Sequence, residues 1–182
     1  MIVRSLDDIV NTLYYMDMNK PVAGFGGSRI PTGARTPALI RALMRDTLRT
    51  SAGRLAARGF ADLGPGQVGV LHIIGTGRRI TEIASLLKTS KQAIKQTVDA
   101  LVAHGYAERH SDHADGRAKV VTLTRRGGDA AAASLEIAEE IDKAWELILG
   151  FDSYNTMRTA LITLISDARS GTTGWMSMQQ PD

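Results

Sequence analysis

The stretch from Arg79 to Thr124, RITEIASLLKTSKQAIKQTVDALVAHGYAERHSDHADGRAKVVTLT, leaves few folds open to this chain. Ile83, Ala84 and Leu87 fall at helical spacing and predict a short helix over about Thr81 to Leu87. Thr89 and Ser90 interrupt it, and Ser90 is a good N-cap for a second helix from Lys91 to about His104. There Ile94, Val98, Leu101 and Val102 form one apolar stripe at i, i+4, i+7 and i+8. Gly105 stands where a left-handed C-cap is wanted. From Tyr106 the pattern turns to extended structure. Residues 118–124 are rich in β-branched side chains, and the polar run from Ser111 to Gly116 supplies a reversal. Helix, turn, helix and β-wing make a winged helix-turn-helix, an architecture that mostly binds DNA.

Opposite its apolar stripe the second helix carries Gln92 and Gln96, with Lys95 and Asp99 beside them and Lys91 near the N-terminus. Glutamine pairs bidentately with adenine, and lysine reaches guanine or phosphate oxygens. Gln92, Lys95 and Gln96 are therefore the expected base-reading face, with phosphate anchors at Ser90, Lys91 and their neighbours. A polar helix face is by itself ordinary. The hairpin behind it makes this one informative.

Three motifs then occur in order and at matching spacing. Leu101, Gly105, Tyr106 and Arg109 spell LxxxGYxxR; Asp115-Gly-Arg117-Ala-Lys119 spells DxRAK; Leu123-Thr124-Arg-Arg-Gly127 spells LTxxG. Together they resemble the multiple-antibiotic-resistance-regulator (MarR) family over about Arg35 to Ala168, with nothing similar in the first 34 residues. The resemblance implies a winged helix-turn-helix regulator in which Arg117 reaches the minor groove and Asp115 orients it; Lys119 nearby is a further candidate for contact with DNA. A cation on a hairpin tip suits the strongly negative minor groove. The resemblance also implies a homodimer whose terminal helices intertwine, setting two heads about one turn of a pseudo-palindromic operator apart. Many relatives answer to small aromatic anions in a crevice between stem and head, and Leu39, Met44, His72 and residues of the 125–149 helix are the expected walls here.

The rest of the chain is consistent with a mainly α fold carrying a small β-wing. Ser5 to about Met18 predicts a capped amphipathic helix, and residues 20–33 a Gly/Pro-rich arm. The Gly-Phe-Gly-Gly within that arm lacks the preceding strand and following lysine-serine of a nucleotide loop. Thr36-Pro37 reads as a cap with proline at the first helical position, opening a helix to about Arg58 with Leu39, Ile40, Leu43 and Met44 on its buried side. A short helix is expected over Gln67–Ile74 and a first wing strand at Arg78–Ile80. Thr124 is expected to cap a helix over Arg125–Leu149, with Leu135, Ala138, Ile141, Trp145 and Ile148 in a stripe; Asp152 or Ser153 opens the last helix, to about Ala168. The domain reading is thus 1–34 as an extension, 35–170 as the winged helix with dimerisation helices (DNA-binding core 66–124), and 171–182 as a tail.

Charge follows the same division. Residues 1–77 carry nine basic and five acidic groups, residues 78–126 ten and five, and residues 127–182 three and nine. The positive potential sits on the head and the first part of the chain. No run approaches the about 20 apolar residues of a membrane span, and Asp7 and Asp8 interrupt any signal peptide, so a cytoplasmic protein is expected. There is no cysteine for disulfides, zinc or redox sensing. His110, Asp112, His113 and Asp115 crowd the wing but read better as a polar tip than as a metal site, and neither metal nor cofactor is expected. No serine-histidine-acid or paired-carboxylate grouping has local structural support, so catalysis is not expected.

Overall fold

The computed structural model describes residues 33–111 and 119–170, which fall into two compact units divided after Ile137. The expected helix at 5–18, the arm, the wing tip with Asp115 and Arg117, and the tail lie outside the described residues.

In the first unit, α1 (Thr36–Ala57) leads to α2 (Pro65–Ile74), strand β1 (Arg78–Arg79), α3 (Ile80–Leu86), α4 (Lys91–Ala103) and the strands β2 (Ala107–Ser111) and β3 (Lys119–Leu123). The start of α5 (Arg125–Leu149) completes it. The strands form an antiparallel sheet in the order β1-β3-β2, with Arg78 opposite Val121 and Ala107 opposite Leu123. The predicted first strand is present, although Ile80 already belongs to α3. The core lies where α2, α3 and α4 meet the sheet: Leu71, Ile74, Ile83, Ile94, Leu101 and Val121 are fully buried there. The predicted α4 stripe thus faces inward, with Val102 half-buried at its margin. Gly105 ends that helix with φ +75°, the left-handed conformation that lets the chain turn directly into β2.

The start of α1 differs from expectation. The cap of α1 is Arg35 rather than Thr36: its carbonyl accepts the amides of Ala38 (2.9 Å) and Leu39 (3.2 Å), and no side chain caps the end. Pro37 therefore sits one place further in, where a missing amide hydrogen still costs nothing. The apolar residues Leu39, Ile40 and Leu43 of α1, expected inside, are exposed in the single chain, while Ala42 and Leu55 are buried. A lone 22-residue helix has more apolar surface than one head covers.

In the second unit, the end of α5 meets α6 (Phe151–Ser170) through a single residue. Gly150, at φ +75°, breaks α5, and its carbonyl at once accepts the amide of Tyr154 at 3.0 Å, so α6 opens at Phe151, ahead of the predicted Asp152 or Ser153. Ile141 and Tyr154 are buried, whereas Leu147, Ile148, Phe151 and Leu164 are exposed. Ile148, predicted within an apolar stripe, is 77% exposed.

Candidate nucleic-acid interface

The reading face is built by the start of α4. Ser90 adopts extended backbone and its Oγ accepts the amide of Ala93 at 3.1 Å, which fixes where the helix begins. Other amides of that first turn point outward without intrahelical partners, the arrangement that favours an anion. Lys91, Gln92, Lys95 and Gln96 are all exposed, while Ile94 and Val98 beneath them are fully buried. The structure therefore brings Ser90, Lys91, Gln92, Lys95 and Gln96 together on one solvent-facing surface. Lys119 stands at the base of the wing, opposite Ser111, and its Nζ donates to Ser111 Oγ at 3.1 Å.

Sequence reasoning passed over what holds this surface. Asp99 lies on the same face and carries two ion pairs, Lys95 Nζ to Oδ2 at 2.9 Å and Arg109 Nη2 to Oδ1 at 2.5 Å. Hydrogen bonds from Lys95 and Arg109 hold the Asp99 carboxyl below the usual carboxylate range. The spacing of Lys95 and Asp99 was a visible signal for one pair. The link to Arg109 needed the fold. In the motif LxxxGYxxR the final arginine thus ties β2 back to the recognition helix.

The other motif residues form a joint between α4 and α5. Thr124 Oγ1 donates to the Gly105 carbonyl at 2.6 Å and accepts the Gly127 amide at 3.1 Å. Tyr106 is buried; its hydroxyl donates to Asp62 Oδ1, while Arg126 Nη2 donates to both the Tyr106 hydroxyl (2.8 Å) and Asp62 Oδ1 (3.0 Å). The Arg126 guanidinium also lies 4.6 Å from the centre of the Tyr106 ring, a cation–π contact. The Tyr106 hydrogen bond, and then Arg126, lower the Asp62 carboxyl, whereas burial chiefly raises the Tyr106 phenol. At Gly127 any β-carbon would overlap the carbonyl oxygen of Tyr106, so only glycine lets the helix approach so closely.

Of the three expected ligand-wall residues, only His72 borders a described cleft. His72 is buried on α2 and lines a cleft of about 350 Å³ with Gly75, Thr76, Arg78, Glu82 and Leu86. Leu39 and Met44 are not among its walls. His72 Nε2 lies 2.7 Å from Ser134 Oγ, and that hydroxyl gives its proton to the Ala131 carbonyl at 2.8 Å. His72 must then be the donor, which fixes the neutral tautomer with hydrogen on Nε2. Burial lowers its pKa and keeps it neutral. His104 caps α4 through its backbone, and His110 Nε2 lies 3.1 Å from Glu108. Among the described residues no histidine or acidic cluster is arranged to hold a metal, and no helix is long and apolar enough to cross a membrane.

Three packed helices, a wing sheet and an exposed polar stripe on the third of those helices define a winged helix-turn-helix. Residues 61–118, about a third of the chain, match the family model described as MarR family, so this segment is similar to a MarR-family winged helix. Over 76 residues the chain is 32% identical to YdcH, an uncharacterized HTH-type transcriptional regulator of Bacillus subtilis; the match takes in 41% of this chain and spans about half (52%) of that relative. A crystal structure of MarR superposes with a TM-score of 0.63 at 21% identity, covering 81% of this chain and all of that one. A mutant of MarR from E. coli complexed with operator DNA gives 0.58 at 21% identity, with 70% and 91% covered. A mutant of MepR from S. aureus bound to an oligodeoxyribonucleotide gives 0.52 at 19% identity, with 74% and 99% covered. At these identities the likeness to solved structures is one of fold.

Proposed function

We propose that this chain is a cytoplasmic, homodimeric transcription regulator that binds a pseudo-palindromic operator in double-stranded DNA, represses nearby genes, and is released by a small aromatic or phenolic ligand. One observation carries the DNA-binding reading: α4 buries one face completely and presents Lys91, Gln92, Lys95 and Gln96 on the other, beside an open N-terminal turn. A major groove accepts such a helix, with the glutamines at base edges and the cations near phosphates. Arg117 and Asp115 extend the reading into the adjacent minor groove. The MarR-family match and the regulator named among the relatives support the same class rather than a catalytic one.

Support for the dimer comes from the apolar residues left bare on one chain, Leu39, Ile40 and Leu43 of α1 and Phe151, Ile162 and Leu164 of α6. Apolar surface of that extent ordinarily marks an interface. The cleft beside His72 supports a ligand, since its volume falls within the range of small-molecule sites.

The test is selection of bound sequences from a randomised duplex pool, followed by titration of the winner and of scrambled DNA at fixed salt. Enrichment of an inverted repeat with half-sites one helical turn apart is the expected result. Equal affinity for selected and scrambled DNA would instead mean an architectural binder. Phenolic acids that raise the melting temperature and release the selected DNA identify a ligand-gated regulator; their failure to do either identifies an ungated one.

A further inference from the structure

Asp99 is the anomaly on the reading face. Gln92, Lys95, Gln96 and Asp99 fall at i, i+3, i+4 and i+7, so the carboxylate shares the stripe that would meet a polyanion. A negative charge there repels phosphate. Stability does not explain its position, because ion pairs this exposed contribute little: the Lys95 and Asp99 side chains are 66% and 41% exposed. What the carboxylate does, geometrically, is hold two cations. Lys95 comes from α4 itself, and Arg109 comes from β2 at the root of the wing. With both occupied, the stripe presents glutamine amides and Lys91, and carries little net charge beyond Lys91 and one uncompensated cation of the trio.

We propose that Asp99 is a specificity-determining positioning residue, which sequesters Lys95 and Arg109 from DNA phosphates until a matching base sequence draws Lys95 away. The inference rests on the DNA-binding reading above. Non-specific binding is almost wholly phosphate neutralisation, whereas specific binding adds base contacts. A carboxylate that competes for the two cations therefore weakens binding to every sequence alike. Only a site offering Lys95 a base-edge acceptor repays the loss of the ion pair. The effect is an increase in the ratio of specific to non-specific affinity, obtained by lowering the second quantity.

The test uses the full chain and a duplex pool of randomised sequence, with binding followed by anisotropy across a salt series and the bound fraction then sequenced. Asp99→Asn should bind the unselected pool roughly three- to tenfold more tightly at low salt, with a log–log salt slope steeper by about 0.9 for each phosphate gained. It should also enrich sequences less strongly than wild type. Asp99→Glu, which keeps the charge, should retain the wild-type slope. A folded Asp99→Asn protein with an unchanged or shallower slope overturns the inference. Should that variant lose its thermal transition, Lys95→Gln carries the test. Its ammonium being held on Asp99 rather than on a phosphate, the pool slope should stay at the wild-type value while enrichment falls, and a slope reduced by one phosphate overturns the idea. Wild-type protein that binds no duplex at any salt ends both readings together. Wild-type protein that selects a sequence while Asp99→Asn matches it in slope and enrichment ends only this one.

Discussion

Thr124 and Gly105 are joined by a 2.6 Å hydrogen bond from the threonine hydroxyl to the glycine carbonyl, and the same hydroxyl accepts the Gly127 amide. One side chain thus terminates the connection after the recognition helix and begins the long helix that follows. Thr124→Val keeps the shape and removes both bonds. It should destabilise the fold by about 1–2 kcal/mol, the range for loss of a helix cap, whereas Thr124→Ser should cost much less. Urea unfolding of the three proteins checks this, and equal midpoints for valine and threonine would refute it.

His72 makes stability depend on pH on the acid side. Its folded pKa is depressed by burial below the unfolded value of about 6.5, so the unfolded chain binds a proton first. The stabilisation is complete above that unfolded value and is lost as pH falls toward the folded one. Melting temperatures measured from neutrality downward should decline through this window in the wild type. His72→Gln, whose amide can still donate toward Ser134, should flatten that part of the curve. A parallel decline in both proteins would mean other groups govern it.

Lys88 sits in the turn between α3 and α4 with φ +46°, the left-handed region that side chains other than glycine and asparagine rarely occupy. Lys88→Gly removes that strain but adds freedom to the unfolded chain, and the two effects partly offset. The net expectation is a gain of up to about 1 kcal/mol, read as a raised denaturation midpoint with unchanged m-value. A lower midpoint would show that the lysine stem contributes packing there.

Gln96→Ala and Arg117→Ala probe the two grooves separately. Each should weaken binding to the selected duplex by roughly 1–3 kcal/mol and relax preference at different base pairs, with the oligomeric state unchanged from wild type. Gel shift and sedimentation on the same samples check both halves. Unchanged affinity for Arg117→Ala would remove the wing from the interface.

The head was legible in the sequence because its signals are local. The α4 stripe at Ile94, Val98 and Leu101, the cap at Ser90 and the left-handed Gly105 depend on near neighbours, and all three stand as read. Leu39, Ile40 and Leu43 are exposed in the single chain: periodicity marks an apolar face without saying what covers it. Long-range polar contacts left little trace. Asp62, Tyr106 and Arg126 share one hydrogen-bonded cluster, although they lie far apart in the chain. The exposure of Gln92, Lys95 and Gln96 follows from helical periodicity alone, whereas the Arg109 partner of Asp99 depends on where β2 is placed.

The close approach at Gly127 has a mechanical meaning. With no side chain between helix and Tyr106 backbone, and with Thr124 and Arg126 fastened on either side, the first turn of α5 has no play against the recognition helix. It leaves the head as a welded spoke rather than a hinged arm. A load placed on that first turn is therefore felt at once at Gly105 and Tyr106, where the recognition helix ends, with no slack to absorb it.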